Sequence, residues 1–335
     1  MKIQFAHNYD GIISIENLLK AWKEFINGKK SRRDVQEFQL NLMGNIFSLH
    51  NDLFAKTYKH SAYTPFNISD PKPRKIHKAS VRDRLLHRAI YRMLYPLFDR
   101  IFISDSYSCR LKRGTHKSIN RFRSFAYKVS KNHTRTAWIL KCDIKKFFDN
   151  IDHKILLAIL GRRYTNDQDI LWLLARVINS FSSSQQGIGL PLGNLTSQLF
   201  VNIYMNEFDQ FIKHKLKARY YIRYADDFVI LFEDKKWLKK MLPKISEFLQ
   251  SKLGLKLHAD KVSIKTLASG IDFLGWVHFP DHRSVRTTTR KRMLRGVKRI
   301  GYKDESIQSY LGLLSHGNSR GLRQKIEEEV YINSG

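Results

Sequence analysis

Tyr224-Ala225-Asp226-Asp227 separates two apolar runs, Tyr220 to Tyr224 and Phe228 to Phe232. Tyr220, Ile222 and Tyr224 alternate with Tyr221 and Arg223, and Phe228-Val229-Ile230-Leu231-Phe232 is an unbroken apolar stretch. This pattern predicts a hairpin with a buried return strand and two adjacent carboxylates at its tip. Aspartate is also an ordinary turn residue, so the pair alone carries little weight. A third carboxylate changes the reading. Asp143 ends the strand-like Trp138-Ile139-Leu140-Lys141-Cys142 and opens Asp143-Ile144-Lys145-Lys146-Phe147-Phe148-Asp149-Asn150-Ile151-Asp152-His153.

Three such carboxylates suit hard divalent cations. Mg²⁺ prefers oxygen ligands and keeps several waters, so Asp143, Asp226 and Asp227, the backbone carbonyl of Ile144 and substrate phosphates would complete the shells of two ions. Mn²⁺ would serve in vitro. Attack of a hydroxyl on a nucleotide α-phosphate needs two cations about 4 Å apart and little covalent help from protein. The 13 histidines show neither HExxH nor paired Cys/His spacing, so no zinc site is expected and most histidines read as parts of basic surfaces. Cys109 and Cys142 are expected to be reduced thiols, the second inside a core strand.

The chain has 335 residues, with 60 Lys and Arg against 30 Asp and Glu, a net charge of +30. That excess demands a polyanion, but charge alone does not choose between nucleic acid, an anionic membrane and an acidic partner. No window approaches the ~20 apolar residues of a membrane span. At the amino terminus Glu16 interrupts Ile12 to Leu19, unlike a signal peptide, and the expected location is cytoplasmic.

Helical spacing runs through residues 12 to 58, broken near Asn27-Gly28. Pro65, Pro71 and Pro73 punctuate a basic, strand-compatible segment ending in Pro73-Arg74-Lys75-Ile76-His77-Lys78. Helices are expected over Leu85 to Phe98, Ser118 to Val129, much of 152 to 180, Leu195 to about Lys217, and Trp237 to Lys252. Leu255 to Ile264 reads as a strand containing Lys261, and Phe273-Leu274-Gly275-Trp276-Val277 as a short hairpin. The basic stretch from Arg283 is helix-prone. The boundaries drawn are an N-terminal helical extension (1–60), a core (61–280) and a basic helical tail (281–335).

The order of these elements resembles the reverse transcriptases over roughly residues 60 to 280. Within that superfamily, related to group II intron and retron enzymes, the resemblance is to those of bacterial and phage diversity-generating retroelements. It is carried by Pro73-Arg74-Lys75-Ile76 with Arg82-Asp83-Arg84, by Asp105-Ser106-Tyr107-Ser108-Cys109-Arg110, and by Gly189-Leu190-Pro191-Leu192-Gly193-Asn194-Leu195-Thr196-Ser197-Gln198. The resemblance implies an α+β right-hand polymerase fold, with fingers, an antiparallel-sheet palm and a short helical thumb. It implies RNA-templated DNA synthesis, with Asp143, Asp226 and Asp227 as the catalytic carboxylates.

Other roles follow from the same resemblance. Lys72 and Arg74 match the residues that grip triphosphate. Phe148 matches the aromatic under the sugar that excludes a 2′-hydroxyl, although Phe147 or Phe148 could equally be core. Lys261 matches a lysine that protonates pyrophosphate, or is a plain surface lysine. Pro191, Leu192, Gly193 and Gln198 fall in the loop that contacts the incoming nucleotide, where Gly189 and Gly193 would let the backbone approach. Phe273, Leu274 and Gly275 match the hairpin that seats the primer end, or form a tight turn closing the core.

Most reverse transcriptases carry Gln where this chain has Leu192, and Pro where it has Gln198. Leu cannot hydrogen-bond, so discrimination between substrates should fall, unless Leu192 only packs under the loop. In the resembled family such a loop accompanies errors opposite template adenines that diversify a target gene by mutagenic retrohoming. The implied partners are a template RNA, a DNA primer or cDNA, deoxynucleoside triphosphates and a small basic accessory protein oligomer, with no membrane, in a bacterial or phage-infected cell. No nuclease or maturase-like extension is expected after the thumb. The rival readings are a retron-like, intron-derived or phage-defence reverse transcriptase, and a catalytically idle RNA-binding protein.

Overall fold

The computed structural model describes residues 8–69, 73–163, 165–300 and 304–332. Four helices open the chain, α1 (Tyr9–Ile13), α2 (Ile15–Phe25), α3 (Arg33–Leu40) and α4 (Leu42–Phe54). The hairpin strands β1 (Thr64–Ile68) and β2 (Arg74–Lys78) follow, then α5 (Val81–Asp99), α6 (Thr115–Val129) and β3 (Trp138–Asp143). After a 3₁₀ turn at Phe148–Asn150 come α7 (His153–Arg163), α8 (Gln168–Ile178) and α9 (Leu195–Gln210). Next are β4 (Tyr221–Tyr224), β5 (Asp227–Phe232), α10 (Lys235–Leu253) and β6 (Ser263–Thr266). Strands β7 (Ile271–Phe273), β8 (Trp276–His278) and β9 (Arg283–Val285) precede α11 (Thr287–Ile300), α12 (Asp304–Leu314) and α13 (Arg320–Ile332).

The chain forms two compact units, each assembled from three segments. The first takes Met1–Ser104, Ile144–Leu216 and Ile245–Leu257; the second takes Asp105–Asp143, Lys217–Lys244 and His258–Gly335. In the first, α9 is central. Leu199, Phe200, Val201, Ile203, Tyr204, Met205 and Phe208 are all buried, as a helix apolar on every side must be. Its α-helical part stops at Gln210, short of the expected Lys217, and widens into a π turn over Phe211–Lys215. The wider turn accompanies stacking of Phe211 on Phe248, with ring centroids 4.1 Å apart.

Helix α5 starts on a reciprocal cap. Ser80 Oγ accepts the Asp83 N–H at 3.1 Å and donates to the Asp83 carboxylate at 2.6 Å. Asp83 also accepts from the Tyr58 hydroxyl at 2.7 Å and the Ser61 N–H at 3.1 Å. Arg82 and Arg84 pair outward with Asp52 and Asp34. The Arg82-Asp83-Arg84 signature therefore fixes the start of a helix.

The second unit is built on a four-stranded antiparallel sheet ordered β4-β5-β3-β6. Phe122, Phe125, Ala126 and Val129 of α6 pack with Ile139, Ile222, Val229 and Leu231 of the sheet in one core. Strand β4 is buried on both faces, since Tyr221, Ile222 and Arg223 are each 0% exposed, so its alternation does not mark a solvent face.

Two expected elements differ. Strand β6 covers only Ser263–Thr266, while Ala259–Lys261 forms a 3₁₀ turn. The His258 N–H donates to the Asp143 carbonyl and the Lys261 N–H to the His258 carbonyl, which curls the chain at the end of β3 before it can extend. Arg283–Val285 is a third strand on the short sheet rather than the start of a helix. The closing helices share a small core of Met293, Val297, Leu314 and Ile326.

Candidate active site

The β3/β5 register sets Asp143 opposite Asp227, and β4 pairs Tyr224 with the same Asp227. A two-residue turn, Ala225-Asp226, joins β4 to β5. Ala225 adopts φ +55°, a left-handed conformation that costs a residue with a Cβ roughly 1–2 kcal/mol. Its carbonyl accepts from Arg223 Nη1 at 3.2 Å, and Arg223 Nη2 donates to Ser106 Oγ at 3.1 Å. The backbone adds two bonds at the same place, Arg223 N–H to the Asp105 carbonyl and Tyr107 N–H to the Arg223 carbonyl, each 3.0 Å. Arg110 Nη1 closes the segment on the Ser106 carbonyl at 3.0 Å, and Arg121 holds Asp105 at 2.8 Å. Asp105-Ser106-Tyr107-Ser108-Cys109-Arg110 is thus the platform under the carboxylate turn. The sequence did not single out Arg223, though an arginine among strand-forming apolar residues was the available signal.

Asp227 Oδ1 is buried without a hydrogen-bond partner. Burial pushes its carboxyl up to about 6, Asp143 and Asp226 push the same way, and Lys141 and Arg286 oppose them. Lys261 Nζ sits 2.9 Å from Asp143 Oδ1, an ammonium on a carboxylate of this corner. Among the described residues no three His, Cys, Asp or Glu side chains gather tightly enough to hold a metal, so the three aspartates occupy one sheet corner without closing on a common point. An orphaned buried carboxylate oxygen and mutual carboxylate repulsion are what a cation would relieve, hard oxygen donors fit a divalent ion, and the Lys261 ammonium holds the place beside Asp143 that an ion would take.

The remaining expected site residues fall in both units. Ile144 is buried and bridges to Leu257. Phe147 is buried whereas Phe148 is half-buried, which separates the two neighbours that the sequence left equal. The Leu190 N–H donates to the Phe148 carbonyl and the Gly189 N–H to the Ile151 carbonyl, both at 2.8 Å, tying the Gly/Pro loop to the segment after β3. His153 is buried there and bridges Gly189 O at 2.6 Å and Asn179 Oδ1 at 3.1 Å. It braces the loop and is no part of a basic surface.

The same loop docks on β2. The His77 N–H donates to the Leu192 carbonyl at 3.0 Å, and Asn194 Nδ2 donates to the His77 carbonyl at 2.9 Å. At Gly193, with φ +99°, a Cβ would lie 2.7 Å from Ile76 Cγ2. Pro191 is buried, Leu192 and Gln198 are half-buried, and Arg74 is exposed at the start of β2. Lys72 lies outside the described residues. In the second unit Phe273 is fully buried in the sheet core, so the surface of its turn consists of Leu274, at φ +53°, and Gly275, at φ +86°. Lys261 stands on the 3₁₀ turn, not on a strand.

Residues 67–278 match the family model described as reverse transcriptase (RNA-dependent DNA polymerase). Protein YkfC of Escherichia coli (strain K12) is 26% identical over 270 residues, covering 69% of this chain and 68% of that protein. The group II intron-encoded protein LtrA of Lactococcus lactis subsp. cremoris is 24% identical over 286 residues, covering 65% of this chain and 45% of LtrA. The chain therefore spans about two thirds of the former and under half of the latter. The fold is also that of an apo telomerase from Candida tropicalis, with a TM-score of 0.52 at 14% identity over 73% of this chain and 60% of that one. No helix among the described residues is long and apolar enough to cross a membrane. The family match runs across the sheet that carries Asp143, Asp226 and Asp227, over more than half of the sequence, and on that ground the chain belongs to the reverse transcriptase (RNA-dependent DNA polymerase) family.

Proposed function

We propose that this chain is an RNA-directed DNA polymerase whose reaction is centred on Asp143, Asp226 and Asp227. The observation that carries the reading is the Asp143–Asp227 register beside a strained two-residue turn bearing Asp226. Two Mg²⁺ ions, when bound, would activate the primer hydroxyl and stabilise the leaving pyrophosphate. Asp143 and Asp226 would hold them, Asp227 would support them from its buried position, and the Ile144 carbonyl would complete a shell. Lys261 would release Asp143 to the cation and present its ammonium to the leaving group. Arg74 and Lys72 would grip the triphosphate, and Phe148 rather than the buried Phe147 would lie under the sugar. Leu274 and Gly275 would meet the primer end.

The finer reading is copying with errors opposite template adenines, in the manner of a diversity-generating retroelement. Leu192 and Gln198 support it, because the loop offers no glutamine amide where most relatives place one. A small basic accessory protein would join the RNA and cDNA as partner. The second reading, an intron-derived reverse transcriptase, is favoured by the similarity to LtrA.

The test is primer extension on an RNA template with Mg²⁺ and four deoxynucleotides, with products sequenced for errors. Wild-type-only DNA with errors concentrated opposite adenine is expected. Accurate or evenly scattered copying would select the intron-derived reading. Equal product from Asp226→Ala would overturn the assignment of the carboxylates.

A further inference from the structure

Phe148 and Leu192 carry two separate tasks in the proposed reaction, the first under the sugar of the incoming nucleotide and the second beside its base. Their segments are joined through the backbone. The Leu190 N–H donates to the Phe148 carbonyl and the Gly189 N–H to the Ile151 carbonyl, both at 2.8 Å, and an antiparallel bridge pairs Asp152 with Ile188. Ser183 Oγ donates to the Asp149 carbonyl at 2.7 Å, while the Ser183 N–H donates to the Ile188 carbonyl at 2.8 Å. The strands of this joint run so close that a Cβ at Gly189, φ +104°, would lie 2.7 Å from Ser183 Cβ.

His153 closes the joint. Asp152 Oδ1 accepts the Ile155 N–H at 3.0 Å and caps α7, so His153 stands in the first turn, where a helix leaves its N–H groups without internal partners. Its own N–H donates to the Gly187 carbonyl at 3.0 Å, and its ring Nε2 lies 2.6 Å from the Gly189 carbonyl. A carbonyl only accepts, so Nε2 carries the proton and donates. Nδ1 faces the side-chain amide of Asn179, the cap that ends α8, at 3.1 Å. One residue thus grips the loop on both sides of Ile188. At 2% exposure it has little water to replace these bonds.

We propose that His153 is a positioning residue that makes the sugar-facing Phe148 and the base-facing Pro191-Leu192 one rigid body, so that selection against ribonucleotides and against mispaired bases rises and falls together. The inference rests on the polymerase reading and adds the residue that couples its two selections. Contacts discriminate only while they are held in place to a fraction of an ångström. Without the Nε2 donor the buried Gly189 carbonyl is left unpaired, and a tilt of the loop that relieves it carries Leu190 and its bond to Phe148 along. None of the bonds named here involves Asp143, Asp226 or Asp227, so nucleotide KM should move more than kcat.

The test compares His153→Leu with His153→Gln, whose amide presents a donor in place of Nε2, and with Ser183→Ala, a milder change that removes only the hydroxyl bonds. Hydrogen–deuterium exchange of the peptide spanning residues 187–192 reads the joint. Single-nucleotide extension on an RNA template, with the matched deoxynucleotide, its ribonucleotide and a mispaired deoxynucleotide, reads the two selections. His153→Leu should speed exchange, lower both selection ratios and raise the matched KM, each on the order of tenfold. His153→Gln should restore most of each, and Ser183→Ala should lower both ratios about threefold. A fall in one ratio alone in either His153→Leu or Ser183→Ala, or unchanged exchange in His153→Leu, would overturn the coupling. Absence of DNA from the wild type would strike the polymerase reading itself, and the exchange result separates that failure from failure of the brace.

Discussion

At Arg223 one guanidinium ties the carboxylate turn to its platform through Ala225 O and Ser106 Oγ. Arg223→Met keeps the bulk and removes both bonds, leaving buried acceptors. We expect a loss of about 2–4 kcal/mol in urea unfolding and a fall in primer extension larger than that in RNA binding. Ala225→Gly tests the strain itself. Relief of φ +55° should raise stability by up to about 1 kcal/mol in the same assay, and a loss would show that the turn is unstrained. Gly193→Ala does the opposite, forcing a Cβ onto Ile76 in a left-handed conformation, and should cost about 1–3 kcal/mol.

Helix α5 carries a buried histidine that makes stability depend on pH. His87 is buried against His60, 3.2 Å between Nε2 atoms, with Asp83 and Arg84 nearby. Burial first, and His60 and Arg84 after it, lower its pKa from 6.5 to about 3, while Asp83 opposes them. The folded chain then binds fewer protons at this residue than the unfolded chain between those values. Its contribution is full above pH 6.5 and is lost as pH falls toward 3. About 2 kcal/mol of His87's own contribution should disappear between pH 7 and pH 5, and His87→Leu should make that part of the stability profile shallower by that amount, with the buried His278 and Asp227 still titrating in it. Asp83, whose pKa is lowered by His60 and its hydroxyl donors against the effect of burial, loses its stabilising charge only below the ordinary carboxylate range, outside this window.

Across the whole molecule the charge of +30 should govern the affinity for RNA that the proposed function requires. Binding should weaken steeply with salt, with a slope of about −0.7 per phosphate neutralised on a single strand. Asp226→Ala should leave that slope unchanged while extension is lost, because one turn carboxylate does not set the field of 60 cationic side chains. A slope that changes in this variant would place the aspartate in RNA binding.

The hairpin, the strand before Asp143 and most helices were legible because strand and helix periods are local, and the turn carboxylates gained meaning from the third carboxylate at the end of the strand before them. The order of motifs identified the family for the same reason. What the local pattern does not contain is burial from a distant segment. It could not tell Phe148 from the buried Phe147, did not mark Arg223 and His153 as internal braces, and placed Lys261 on a strand that the bond from His258 to Asp143 turns aside. These depend on which carbonyls and rings the folded chain brings beside each residue. Composition and periodicity specified which residues could act, and tertiary packing decided which were free to do so.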